Sequence, residues 1–114
     1  MRLSLLITAV LWPSLIQAES TRVIDGRAVA WKAMSGHQML IRGEFATLKG
    51  VLCPPVSTPE GRDAKALLNA FMKSGRGNVR CIIDGPEGNR TVECFKERRS
   101  FATGMIESDL CVAH

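Results

Sequence analysis

The sequence predicts a mainly β protein with helices, an α+β fold in the order β-β-β-α-β-β-α. Three observations carry this. Runs rich in Leu, Ile and Val, punctuated by glycine, fill residues 22–52. A capped amphipathic stretch follows them. Two short β runs then flank the turn GPEGN, ahead of a tail with helical spacing.

The chain opens on Arg2 and the apolar run LSLLITAVL from Leu3 to Leu11. Pro13 and Ser14 break the run, and Ile16-Gln17-Ala18 offers a small residue for cleavage. The run is too short to span a bilayer, so residues 1–18 read as a signal peptide cut near Ala18, and the protein as secreted or periplasmic. Removing these 18 of the 114 residues leaves 96, enough for one small domain over 19–114. The formal charge falls from +4 to +3 with the loss of Arg2. Such a weakly basic balance permits a polyanion partner without requiring one.

Between Arg22 and Leu52 the pattern predicts three to four antiparallel strands. RVIDGRAVAWKAM alternates loosely, and SGHQMLIRGEFATLKGVL carries turn signals at Ser35-Gly36 and Arg42-Gly43-Glu44. Asp25-Gly26 reads as a turn or strand bend, and His37 as a turn residue. Trp31 and Phe45 are the kind of aromatics that stack bases on some β platforms, but core packing is the expected role for both.

Thr58 is a good helix cap, Pro59 fits the first helical position, and Glu60 suits the positive end of the dipole. Ala64, Leu67, Leu68 and Phe71 form one apolar stripe, Lys73 falls in the last turn, and Gly75 is the expected stop. NVRCIID and RTVECFK flank GPEGN as a hairpin. In the tail, Phe101, Met105, Ile106 and Leu110 keep helical spacing, although Gly104 weakens that helix by about 1 kcal/mol relative to Ala.

Four cysteines, Cys53, Cys81, Cys94 and Cys111, follow the leader. They contain no Cys-x-x-Cys pair, and His37 and His114 stand alone, so a disulfide framework is expected and a zinc site is not. Four cysteines allow three connectivities.

Taken in order, these blocks resemble the thermonuclease (staphylococcal nuclease-like) family. Val23-Ile24-Asp25-Gly26-Arg27-Ala28 stands where that family has V-I/V-D-G-D-T. Thr47-Leu48-Lys49-Gly50-Val51-Leu52-Cys53-Pro54-Pro55 takes the place of R-L-x-G-I-D-A-P-E. Gly61, Ala64 and Leu68 match its G-x-x-A-x-x-x-L. Val79-Arg80-Cys81 matches V-x-C, and Asn89-Arg90-Thr91-Val92-Glu93-Cys94 matches G-R-x-V-A-x-C. Phe101 to Cys111 replaces the closing helix. The resemblance implies an OB-type five-stranded barrel with helices packed against it.

It also implies a chemistry that this chain has lost. A calcium-dependent phosphodiesterase needs carboxylate oxygens for the metal, a carboxylate base for water and arginines for the phosphoryl charge. In the register above, Arg27 and Leu52 stand at the two metal-binding Asp positions. Thr47 stands at the first arginine and Pro55 at the base. Arg90 alone matches, at the second arginine. An alternative register sets Val56-Ser57-Thr58-Pro59-Glu60 on a V-D-T-P-E variant of the motif, with Glu60 as base. It puts prolines in the preceding strand and the helix start inside the loop.

Within the resemblance, Cys81 and Cys94 occupy places where exported relatives carry cysteines, and they fall nearly opposite across the hairpin. Cys53 and Cys111 are the remaining pair, and joined they would staple the tail to the strand-to-helix corner. The functional expectation is a non-catalytic binding or interaction protein of the cell envelope without cofactor. Its partner is a protein or an anionic polymer such as nucleic acid or acidic polysaccharide, met near Arg27, Arg42 and Arg90. Two alternatives stand beside it. One is an active nuclease rebuilt on Asp25, Glu60 and Arg90, with calcium. The other is a scaffold subunit of an envelope or export assembly.

Overall fold

The computed structural model describes residues 21–28, 30–74 and 77–114. The expected signal peptide with its cut near Ala18, and the expected helix stop at Gly75, lie outside them. No helix among the described residues is long and apolar enough to cross a membrane.

Five strands precede the long helix rather than three to four: β1 (Arg22–Gly26), β2 (Lys32–Ser35), β3 (Gln38–Ile41), β4 (Glu44–Leu48) and β5 (Val51–Leu52). The extra strand at the start comes from a break inside RVIDGRAVAWKAM, where the Trp31 N–H closes a turn on the Ala28 carbonyl. Asp25-Gly26 is not a turn. Both residues lie in the β1 ladder, opposite Arg80 and Val79. The expected turns do form between β2 and β3 and between β3 and β4. At the second, Arg42 and Gly43 both take positive φ, as a two-residue hairpin loop demands. Alternation then buries Met39 and Ile41 on β3 and Ala46 and Leu48 on β4.

Helix α1 (Pro59–Lys73) follows, then β6 (Val79–Asp84) and β7 (Thr91–Lys96) as the expected hairpin, β8 (Arg99–Ser100), α2 (Phe101–Glu107) and β9 (Val112–Ala113). The α1 stripe is rotated slightly from expectation. Gly61, Ala64, Leu68 and Met72 are its buried line, while Leu67 and Phe71 are half-buried at the margin. Phe71 turns instead toward α2, with its ring centroid 5.9 Å from that of Phe101. Helix α2 stops at Glu107, short of Leu110, because Asp109 takes a left-handed φ of 67° and the chain swings out to pair β9 with β5.

The strands make a mixed seven-stranded sheet with the order β1-β6-β7-β4-β3-β2, β8 adding to β7, beside a separate β5–β9 pair. Only β4–β7 is parallel, over Thr47↔Thr91 and Leu48↔Val92. No ladder among the described residues joins β1 to β2, so the hydrogen-bonded path is open where a closed barrel was expected. Its two ends are nevertheless consecutive in the chain. Arg22, at the start of β1, also grips Glu44 on β4, three strands along the path. A flat sheet would hold those strands about 14 Å apart, with side chains standing off its plane, so this contact reports a strongly curled sheet.

The concave side and α1 enclose one core that includes Trp31, Met39, Ile41, Leu48, Leu68, Ile83 and Met105. Strand β2 ends the path, and α1 covers it: the Ala33 N–H donates to Asn69 Oδ1 at 2.8 Å, which satisfies an edge donor. Both cysteine pairs are bonded, Cys81–Cys94 and Cys53–Cys111, with Cα atoms 4.1 and 4.3 Å apart.

Candidate functional site

The corner between β5 and α1 stands where the thermonuclease resemblance puts a catalytic loop, and its polar groups are consumed by structure. The Pro55 carbonyl accepts from both the Thr58 N–H, at 3.0 Å, and the Thr58 hydroxyl, at 2.7 Å. Thr58 Oγ1 in turn accepts from the Gly61 N–H at 3.0 Å, the expected cap. Gly61 lies so close to this knot that a Cβ there would stand 1.8 Å from the Pro55 oxygen. On the other side, the Cys53 N–H donates to His37 Nδ1 at 3.2 Å. Partial burial lowers the His37 pKa, and the neighbouring His114 lowers it further. Its neutral form keeps the lone pair that Cys53 needs. His37 is therefore a turn residue with a second task.

A charged cluster forms instead around the β3–β4 turn. The Arg22 guanidinium holds the Glu44 carboxylate through both of its terminal nitrogens, one at 3.0 Å. Arg90 Nε approaches the same carboxylate at 3.4 Å. The Arg22 hydrogen bonds pull the Glu44 carboxyl below its usual range, partial burial pushes back, and the charges of Arg22 and Arg90 add to the lowering. The same pairing raises the Arg22 pKa. Arg42, two residues before Glu44, lays its guanidinium 6.0 Å from the Trp31 ring centroid. Its Nη2 also lies beside Gly26, so close that a Cβ there would meet it at 3.3 Å. Arg27, the next residue after Gly26, is exposed.

Sequence reasoning named Arg27, Arg42 and Arg90 here and missed Arg22 and Glu44. Arg22 is 22 residues from Glu44 and Arg90 is 46 away, so no local period could have joined them. The aromatic expectations divide. Trp31 is core at 3% exposure, but Phe45 is 48% exposed on the outer side of β4, next to Glu44. It lies outside the core because its neighbours Ala46 and Leu48 set the inward phase of the strand.

Asp25, Glu60 and Arg90 sit on separate parts of the fold. Asp25 is on β1 and accepts from Arg80 at 3.3 Å. Glu60 is exposed in the first turn of α1. Arg90 is committed to Glu44 just before β7. No group of three or more His, Cys, Asp or Glu among the described residues is arranged to hold a metal ion. What the cluster offers chemically is fixed positive charge around the β3–β4 turn, while Phe45 projects from the opposite face of β4 to Glu44. Comparisons with known proteins assign no family: no family model matches this chain, and no curated protein matches it.

Proposed function

We propose that the chain is an exported, non-catalytic relative of the thermonucleases, an OB-type domain that binds an anionic polymer at the β3–β4 turn. The observation that carries this reading is the pair Arg22 and Arg90 sharing the carboxylate of Glu44, with Arg42 beside Trp31 and Gly26 at the same turn and Arg27 exposed next to Gly26. Excess fixed charge of this kind binds polyanions by releasing their counterions. The exposed Phe45 ring, on the other face of β4 from Glu44, offers a separate stacking surface to a strand that wraps the turn, which favours nucleic acid over polysaccharide.

Topology supports the family reading. Taking β1 and β2 as two halves of one bent strand turns the path into a ring of five, the strand number of an OB barrel. Helix α1 then falls between the third and fourth members of the ring in chain order. The apolar leader and two disulfides favour an oxidising compartment outside the cytoplasm. The non-catalytic part rests on Arg27, Thr47, Leu52 and Pro55 at positions that need acids or arginine, and on an Asp25 carboxylate already taken by Arg80.

The test is retention of the oxidised protein on single-stranded DNA and on heparin across a salt gradient, with a calcium-titrated digestion alongside. The expected result is no cleavage, with retention stronger on DNA. Replacing both Arg42 and Arg90 by Ala should flatten the slope of log affinity against log salt by about 1.4. Calcium-dependent cleavage that Arg90→Ala removes would replace this reading with the rebuilt enzyme. Neither cleavage nor retention would favour a protein partner or a scaffold role.

A further inference from the structure

A second site lies at the other end of α1. A cleft of about 360 Å³ opens between the last turn of α1, the β7–β8 loop and α2. Its volume falls within the range of small-molecule sites. The apolar wall is the Phe71–Phe101 ring pair, with centroids 5.9 Å apart. Gly104 completes it as bare backbone: a Cβ there would stand 2.8 Å from the Phe71 ring, so the glycine that weakens α2 is what admits this aromatic.

The polar wall is charged, and its charges are unequally committed. Lys96 Nζ donates to the Met72 and Ser74 carbonyls and so caps the C-terminus of α1. Arg99 also lines the cleft; it is exposed, and its side chain makes no hydrogen bond or ion pair among the described residues. Glu97 stands on the same loop. This two-residue loop, Glu97 and Arg98, joins the paired residues Lys96 and Arg99 with φ of 52° and 69°. Hairpin loops of that shape ordinarily use Asn-Gly or Asp-Gly. Here the sequence keeps two charged side chains in an unfavourable backbone region, which holds Glu97 and Arg99 at the mouth.

We propose that this cleft binds a small amphiphilic carboxylate, with its aromatic or aliphatic body against Phe71 and Phe101 and its carboxylate on Arg99. Arg99 is the cation free to pair, and a guanidinium takes a carboxylate through two parallel hydrogen bonds. Glu97 opposes a second negative charge, so monoanions are preferred to dianions. The site is independent of the arginine cluster at the β3–β4 turn.

The experiment is an amide chemical-shift titration of the oxidised protein with 4-phenylbutyrate. The amine 4-phenylbutylamine tests charge, and butyrate tests the aromatic body. The expected shifts concentrate at Phe71–Ser74 and Lys96–Gly104, with the carboxylate bound at least about tenfold tighter than the amine and butyrate bound weakly. Arg99→Gln should keep the thermal midpoint and lose about tenfold in affinity. Glu97→Gln should keep or raise affinity. Shifts centred elsewhere, equal binding of amine and carboxylate, or unchanged affinity in Arg99→Gln would each overturn the proposal.

Discussion

Cys81–Cys94 and Cys53–Cys111 are both buried, yet they close the chain over different spans, 13 residues in one case and 58 in the other. The shorter bridge joins residues already opposite each other in a five-pair ladder between β6 and β7. It reinforces a contact that the sheet makes anyway. The longer bridge joins the β5–α1 corner to the tail, where the only ladder among the described residues is the two-pair β5–β9 contact. There the covalent bond is the main tie. Equal burial thus conceals unequal dependence on the bond.

The largest test of that difference removes the long bridge. Cys53→Ser with Cys111→Ser should cost about 4 kcal/mol in the chain-entropy model. The amides of Val112, Ala113 and His114 should lose hydrogen-exchange protection while the main sheet keeps its own. Removing the short bridge, by Cys81→Ala with Cys94→Ala, should cost about 3 kcal/mol in the same model and leave the β6–β7 ladder protected. If the tail stays protected in the first variant, or the hairpin opens in the second, the contrast fails. Gly61→Ala sharpens it by attacking the corner without touching sulfur: a Cβ there runs into the Pro55 carbonyl, and overpacking of this kind costs about 1–3 kcal/mol of unfolding free energy, measured by denaturant titration.

The smallest effect is a pH dependence. His37 has a lowered pKa in the fold, so the unfolded chain binds its proton more readily. Its contribution is therefore fully present above the unfolded value of about 6.5 and is lost as pH falls through the lower folded value. Thermal midpoints should drop between pH 7 and pH 5, and less so in His37→Gln, whose carbonyl can accept from the Cys53 N–H without titrating. An equal drop in both proteins would remove His37 from the corner's support.

Local chemistry made much of the fold legible. The Thr58 cap, the helix beyond it, the GPEGN hairpin and the β2–β4 turns are all written within a few residues of where they act. The open sheet path, the short β5–β9 pair and the early end of α2 depend on partners dozens of residues away, and no period or cap announces them. The site divides in the same way. Arg42 and Arg90 stand out as cations near turns, whereas Glu44 becomes the shared partner of Arg90 and Arg22 only when the sheet curls Arg22 onto it. Gly104 read as a flaw in α2 because its use, room for the Phe71 ring, comes from a residue 33 positions upstream on α1.

The two bridges are nested: the first cysteine of the folded region pairs with the last, and the second with the third. A polypeptide that reaches an oxidant from its N-terminal end presents Cys53 first, and the next thiol to arrive is Cys81, the wrong partner. Joining cysteines in their order of arrival therefore gives Cys53–Cys81 and Cys94–Cys111, neither of them native. Correct maturation requires the β6–β7 hairpin to form before the thiols are consumed, or an isomerase that undoes the early bonds. Cell lines or strains lacking such an isomerase should accumulate the misbridged form.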